Sequence, residues 1–366
     1  MHASAAILRH AQAPFAIEPL DLPEPGGNEI LVRVAGVGMC HTDLVVRHIP
    51  AEWAPLPAVL GHEGSGIVEA VGPSVTRFAV GDHVVLTYDS CGWCDNCHGG
   101  TPSFCSEFSE RNELGLRPGS HRSGRDSDGV ELQTRWFGQS SFATHSLATE
   151  RNAVKVSPDL PIELLGPLGC GIQTGAGAVL NALQVRFDSS VVIFGTGAVG
   201  MAAIMAARIA GARKVIAVDL HENRLQLAQE LGATHRISGR DPELVEQIMS
   251  LTGGGATHAL DTTAAPAVIA AALASLRARG KLGLVGGGGA PLDLPQEALM
   301  KGQQISFIIE GNSVPQLLIP QLIELWSEGL FPFDRLIARY PLEKINDAER
   351  DLASGSVIKP VLLPGG

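Results

Sequence analysis

Four thiols stand within fifteen residues: Cys91-x-x-Cys94-x-x-Cys97, then Cys105, with Gly92, Gly99 and Gly100 between them for tight turns. Zinc in a closed structural site takes four ligands in a tetrahedron, and thiolates at this spacing can wrap one ion. Closely spaced cysteines also hold iron–sulfur clusters, and a four-thiol site taken alone also fits a nucleic-acid-binding zinc ribbon. A redox C-x-x-C is the poorer reading, because the strand–helix setting of that motif is missing around these residues. The other two cysteines are far apart, Cys40 in Cys40-His41-Thr42-Asp43 and Cys170 in Leu168-Gly169-Cys170-Gly171. Between them lies His62, in Gly61-His62-Glu63-Gly64. Taken singly, a cysteine among apolar residues reads as inert packing. Together, two thiols and an imidazole make the three-ligand set of a catalytic zinc with an open fourth position. Glu63 can enter that position transiently, and Asp43 can accept the second ring N–H of His62 and fix its tautomer. All six cysteines are then used, and none is left for a disulfide.

A second chemistry is written in Val191-Val192-Ile193-Phe194-Gly195-Thr196-Gly197-Ala198-Val199-Gly200, followed nineteen residues later by Asp219. An apolar run leading into G-x-G-x-x-G and then an Ala/Met-rich segment reads as strand, tight turn, helix. The first glycine permits the turn, the second lets a pyrophosphate approach the backbone, and the third lets the helix pack on the strand. Unpaired N–H groups at the helix start face the phosphates. The acid at Asp219 ends a second strand, Lys214 to Val218. It can accept the ribose hydroxyls of NAD and would repel the extra phosphate of NADP.

These groups need elements to carry them. At 366 residues the chain is long enough for two cores. Its 45% apolar content and 43 glycines point to an α/β protein rich in tight turns. A formal net charge of −11 argues against nucleic acid or an anionic membrane as partner. No apolar run reaches the length of a membrane span. Met1 to Leu20 lacks the pattern of a signal peptide, which gives the expectation of a cytoplasmic protein in which clustered cysteines bind metal. Before about residue 160 the pattern is short β segments broken by Pro and Gly: Ala5–Leu8, Glu29–Val37, Gly66–Val71 and Asp82–Thr87. The polar, Gly/Ser/Arg-rich stretch from Phe104 to Phe142 reads as a long solvated surface excursion.

From about Gly171 strand-like and helix-like runs alternate. The strands are Val191–Phe194, Lys214–Val218, Thr234–Ile237, Thr257–Leu260, Lys281–Val285 and Ile305–Ile308. The helices are Ala198–Ala210, Glu222–Leu231, Pro242–Leu251, Pro266–Leu276 and a weaker Gln296–Met300. Six strands with five crossovers predict a doubly wound parallel sheet. A helix from Val314 to Ser327, a strand near Leu336, a helix from Glu343 to Ala353 and a strand from Val357 to Leu363 follow, a tail expected to rejoin the first domain. The division is thus 1–171 with 311–366 returning to it, and 172–310 for the cofactor.

Several motifs in order resemble the zinc-dependent medium-chain alcohol dehydrogenases across essentially the whole chain. They are Gly38 to Asp43, Leu60 to Gly66, the four-cysteine lobe, Gly195 to Gly200 with Asp219, and Lys344-Ile345-Asn346-Asp347-Ala348. Gly169 to Asn181, and Ile308-Ile309-Glu310-Gly311 with Ser313-Val314-Pro315, are most similar to the aryl (benzyl) alcohol dehydrogenase branch, some of whose members act on allylic terpene alcohols. The resemblance implies a GroES-like β barrel holding two zincs, a Rossmann domain for NAD, and an active-site cleft between them. It also implies a homodimer or homotetramer built by pairing the edges of the Rossmann sheets. Cys40, His62 and Cys170 would hold the catalytic zinc, with Glu63 as an occasional ligand. Cys91, Cys94, Cys97 and Cys105 would hold the structural one. Thr42 would take the alcohol proton, beside Asp43. His41 and Lys359 would approach the pyrophosphate and Arg224 the adenosine ribose. Gly195, Gly197, Ala198, Val199, Gly200, Asp219 and Val285 would complete the cofactor site. The pattern departs at Val45, where many members carry the histidine that ends a proton relay; His48, three residues on, or water would serve instead. Trp53, Tyr88 and Phe142 are candidates for the substrate pocket. The implied reaction is reversible oxidation of a primary aromatic or allylic alcohol, with a glutathione-adduct or general short-alcohol dehydrogenase, or a perillyl- or geraniol-type terpene alcohol dehydrogenase, as the alternatives.

Overall fold

Gly38 stands opposite Glu63 in the register of two antiparallel strands, Glu29–Gly38 and Glu63–Val71, and this pairing organises the first half of the chain. The computed structural model describes residues 1–50, 54–113, 124–287, 291–292 and 294–365. Trp53 therefore lies outside the described residues. The described residues divide into two units: Met1–Cys170 with Val314–Pro320 and Asp334–Gly366, and Gly171–Ser313 with Gln321–Phe333.

In the first unit Glu29–Gly38 is the hub. Among the described residues it pairs with Glu63–Val71, His145–Thr149 and Lys359–Leu363, and the sheet extends to His83–Leu86, Ala153–Val156 and Ile337–Pro341. A second, antiparallel sheet runs Ala58–Val59, His2–Leu8, Ala16–Asp21, Gly124–Asp126, Glu131–Leu132. Apolar side chains of both sheets and of the loops beside them, among them Ile7, Leu31, Val37, Leu60 and Phe142, share one buried cluster. The helix Ile345–Ser354 presents Ile345, Ala348 and Leu352 to that cluster, the one-sided spacing of an amphipathic helix.

The second unit is a parallel sheet. Its order is His235–Ser238, Lys214–Asp219, Ser190–Phe194, Ala256–Asp261, Leu276–Leu284, Gln304–Phe307, so the first of these strands in sequence lies third. The order reverses between Ser190–Phe194 and Ala256–Asp261, which opens a crevice at their carboxyl ends. The helices Ala198–Ile209, Glu222–Glu230, Leu244–Thr252 and Pro266–Ala274 make the crossovers. No helix among the described residues is long and apolar enough to cross a membrane.

Two expectations are corrected. The tail does not return as one piece: Gly311–Ser313 and Gln321–Phe333 cluster with the second unit, and Phe331 and Phe333 are fully buried. The stretch from Phe104 to Phe142 is not a solvated excursion throughout. Leu132 to Ala143 is continuously buried, Gln133, Thr134, Arg135, Trp136 and Gln139 included. Their polar atoms are satisfied inside, as in the Arg135–Glu29 ion pair at 2.7 Å.

Candidate active site

The pairing of Gly38 with Glu63 brings two loops to one end of the sheet. Cys40 lies two residues past the end of one strand and His62 immediately before the start of the other. A Cβ on Gly38 would fall 2.0 Å from Glu63 Oε2, so glycine is required for the carboxylate to pass. A 3-10 turn, Gly166–Gly169, delivers Cys170 to the same place. Its glycines lie so close to the Glu63 and Leu86 carbonyls that a Cβ on Gly166 or Gly169 would come within about 2 Å of them. The ligand atoms of Cys40, His62, Glu63 and Cys170 all lie within 4.8 Å of one another. His62 Nε2 is 3.2 Å from Cys170 Sγ, and His62 Nδ1 is 2.7 Å from Asp43 Oδ1. Asp43 is fully buried, so its carboxylate holds Nδ1–H and leaves Nε2 free to ligate.

The electrostatics act differently on each member of the set. The Cys40 thiol is held well below its usual range, first by its hydrogen bond with Cys170 and then by the charge of Lys359, against the opposing cost of burial. Burial disfavours a charge on His62, yet Asp43 and Cys40 outweigh it and raise the imidazole. Burial also raises Glu63, while Lys359 pulls it down. Thr42 Oγ1 is 3.7 Å from Cys40 Sγ.

Lys359, expected near the pyrophosphate, is bonded within this cluster. It is 3% exposed, and its ammonium donates to Met39 O at 3.1 Å and to both Glu63 oxygens at 2.9 and 2.8 Å, which occupies all its donors. The neighbouring strand pairing, Val361 with Gly38, puts it there. His41 and Val45 are exposed, and His48 is exposed on the 3-10 turn Val46–His48. No hydrogen bond joins His48 to Thr42 among the described residues. Phe142 is wholly buried and edge-on to Phe15. Tyr88 packs against Phe108 at 5.8 Å.

The four remaining sulfurs also lie within 4.8 Å of one another. Trp93 and Cys94 amides donate to Cys91 Sγ, and the Cys91 and Glu107 amides donate to Cys105 Sγ. Amide hydrogen bonds, that of Ser106 foremost, hold the Cys94 thiol down to about 5, while burial pushes Cys105 up to about 12.

In the second unit the glycine loop takes the shape its spacing predicts. Gly195 has φ of +87°, and a Cβ there would meet Thr262 Oγ1 at 2.4 Å. A Cβ on Gly200 would strike the Gly195 carbonyl at 1.9 Å, the close approach of helix to strand. Gly197, the N-cap of Ala198–Ile209, has nothing within 4 Å, which leaves room for a ligand before the helix start. Asp219 Oδ2 accepts from the Thr196 amide and hydroxyl, and Oδ1 from the His221 amide. These bonds and Arg224 hold its carboxyl below the usual range although burial opposes them. Arg224 Nε is buried without a hydrogen-bond partner. Val285 follows the strand Leu276–Leu284, at the same carboxyl edge.

Comparison with known proteins decides what these sites belong to. Residues 26–158 match the alcohol dehydrogenase GroES-like domain and residues 198–328 the zinc-binding dehydrogenase domain. A geraniol dehydrogenase from Castellaniella defragrans is 47% identical over 366 residues, covering 99% of this chain and 97% of its own. The chain belongs to the zinc-dependent medium-chain alcohol dehydrogenases. It is an oxidoreductase acting on alcohols. Among solved structures, an alcohol dehydrogenase zinc-binding domain protein from Burkholderia ambifaria is 52% identical with a TM-score of 0.96, over 100% of this chain and 99% of the other. Benzyl alcohol dehydrogenase from Acinetobacter calcoaceticus is 45% identical with a TM-score of 0.94, over 99% of both chains. The family implies zinc and NAD, and this chain's residues fit both groups. Two compact donor sets carry soft thiolates suited to zinc. The glycine cradle and the unpartnered Arg224 Nε suit a dinucleotide.

Sequence reasoning overlooked Trp136, Phe137 and Gln139. The indole N–H of Trp136 donates to Asp43 Oδ1 at 3.0 Å. The Phe137 ring stacks on His62 with centroids 4.5 Å apart. Gln139 Nε2 donates to the His62 carbonyl at 2.9 Å. The Trp-Phe-Gly run inside a polar stretch was the available signal.

Proposed function

We propose that this chain reversibly oxidises primary aromatic or allylic alcohols to aldehydes with NAD, using one catalytic and one structural zinc per chain. The observation that carries this reading is the buried gathering of Cys40, His62, Glu63 and Cys170 with Thr42 beside it. The likeness to both a geraniol and a benzyl alcohol dehydrogenase supports the substrate class. When bound, zinc supplies a Lewis acid for the alcohol oxygen and NAD⁺ supplies the hydride acceptor. Cys40, His62 and Cys170 hold the metal, and Asp43 fixes the His62 tautomer. Thr42 Oγ1 takes the alcohol proton. Val45 leaves no histidine at the usual outer position, so the proton leaves towards solvent on the side where Val45 and His48 are exposed. Lys359 holds Glu63 by both oxygens, so Glu63 would have to give up that pair to ligate a metal. Asp219 disfavours the extra phosphate of NADP by charge repulsion.

For the assembly, we propose pairing through Gln304–Phe307, the edge strand of the second unit's sheet. Phe307 is 46% exposed there, and neighbouring Leu299 and Met300 are 64% and 81% exposed. Free thiols in two clusters suit a reducing compartment such as the cytoplasm. The deciding experiment follows nicotinamide absorbance across a panel of benzyl alcohol, geraniol, ethanol and S-(hydroxymethyl)glutathione, with NAD and NADP. Highest kcat/KM for the first two with NAD is expected. A preference for ethanol or the glutathione adduct overturns the substrate assignment.

A further inference from the structure

We infer that the turn Trp136–Gln139 is a positioning device that sets the His62 imidazole for metal binding, through three contacts on one histidine. The inference rests on the reading that Cys40, His62 and Cys170 hold the metal. The first contact acts behind the ring. Asp43 Oδ1, the partner of His62 Nδ1, also accepts from the Gly61 amide at 3.1 Å and from Trp136 Nε1 at 3.0 Å. Its other oxygen accepts from the Cys40 amide at 3.1 Å. The carboxylate is therefore fixed from four sides, and Trp136 supplies the one side-chain donor besides His62 among these bonds.

The second contact acts on the ring face. Phe137 stacks on the imidazole at an interplanar angle of 29°, and to do so it takes a left-handed backbone conformation, φ +52° and ψ +36°. An aromatic residue rarely adopts that region, and such strain persists only where surrounding contacts hold it. Here they do. Trp136 N donates to Ser140 Oγ at 2.8 Å, the Trp136 carbonyl accepts from the Gln139 and Ser140 amides, and Trp136 and Phe108 pack edge-on to the Phe137 ring. The third contact acts on the main chain. Gln139, fully buried, donates to the His62 carbonyl and accepts from the Gly64 amide at 3.0 Å, pinning the backbone on both sides of Glu63. Rotation about the side-chain bonds of His62, tilt of its ring and shift of its backbone are each opposed by a different residue of one turn. Partners that orient a ligating histidine typically carry ten- to a hundredfold in metal affinity.

The test uses the zinc-loaded full chain and its cobalt-substituted form. Trp136→Phe keeps the aromatic volume and removes the N–H. We expect it to retain the four-thiol metal, to release the other metal to a chelator about tenfold faster or more, and to shift the visible bands of cobalt at that site. Phe137→Leu, which removes the stacked face, is expected to act in the same direction. Release rates and cobalt bands matching the unmodified protein in both variants would overturn the inference. If Trp136→Phe loses both metals and so has not folded, Phe137→Leu alone decides by the same two readings. Cys170→Ala serves as the control: should it keep both metals, the ligand assignment fails, whereas loss of one metal there with no effect of Trp136→Phe or Phe137→Leu defeats the positioning role alone.

Discussion

Replacing Thr42 by Val removes a hydroxyl 3.7 Å from the Cys40 sulfur while keeping the branched shape of the side chain. Loss of a positioned proton-transfer group costs about a hundredfold or more, so kcat should fall by that factor in Thr42→Val. NAD affinity should hardly move, and binding is checked by cofactor fluorescence. Asp219 is the second residue with a single-site consequence. Its carboxylate is kept ionised by Thr196, His221 and Arg224 and lies at the end of its strand. Asp219→Ser removes the charge, and the ratio of kcat/KM for NAD over NADP should drop about tenfold or more, roughly 1.4 kcal/mol of discrimination. An unchanged ratio would take Asp219 out of cofactor selection. The cysteines, His62 and the glycine loop were legible at this scale because their chemistry is carried by residue type and spacing. Trp136 and Phe137 were not, because an aromatic pair in a polar run says nothing about which buried atoms it will meet.

At the scale of elements, periodicity served well where a segment has one buried face. The helix Ile345–Ser354 is such a case, and Leu352, 5% exposed, is its last core anchor before Gly355 ends it in a left-handed conformation. Leu352→Ala should cost about 2–5 kcal/mol of stability by the cavity it leaves, measured by denaturant unfolding. The helix Gly171–Gly177 was missed for the opposite reason. Three of its seven residues are glycine, which reads as turn, yet a Cβ on Gly175 would meet the Val199 carbonyl at 2.0 Å. The glycines are there to let backbone approach backbone. In the strand Ala256–Asp261, burial first, then the charges of Lys281 and Arg277, push the imidazole of His258 down to about 4. Between its ordinary value near 6.5 and about 4 the unfolded chain binds a proton that the folded one refuses, so stability falls as pH falls through that window. His258→Gln should flatten the pH dependence of the thermal midpoint between about 6.5 and 4, by at most about 3 kcal/mol at the acid end. An identical pH profile would show that His258 is free to protonate in the fold.

For the whole molecule the two metal sets make separable predictions. Metal analysis of the intact protein should return two zinc ions per chain, and Cys170→Ala should return one. A chelator should abolish turnover before it lowers the thermal midpoint, because the ligands of the four-thiol lobe are all thiols, held by amide hydrogen bonds to Cys91 and Cys105 and by no ion pair among the described residues. In the other site His62 stays tied to Asp43 and Glu63 to Lys359 without an ion. Simultaneous loss of both properties would contradict that division of labour. The chain is also expected to sediment as a dimer or tetramer, and Phe307→Glu on the edge strand should shift it to monomer.

Residue order alone was enough for the four-thiol lobe, the dinucleotide loop and the six parallel strands, because each depends on short spacings or on a local period, whereas Cys40, His62 and Cys170 stand far apart and could be grouped only by residue type. Only the tertiary structure could decide which atoms converge. It paired Lys359 with Glu63, it buried a polar stretch that reads as a surface loop, and it placed one turn around His62. Those outcomes rest on strand register and on contacts between residues dozens to hundreds of positions apart, such as Lys359 with Glu63 and Trp136 with Asp43. Burial at such contacts turns otherwise ordinary side chains into partners, and no local pattern encodes it.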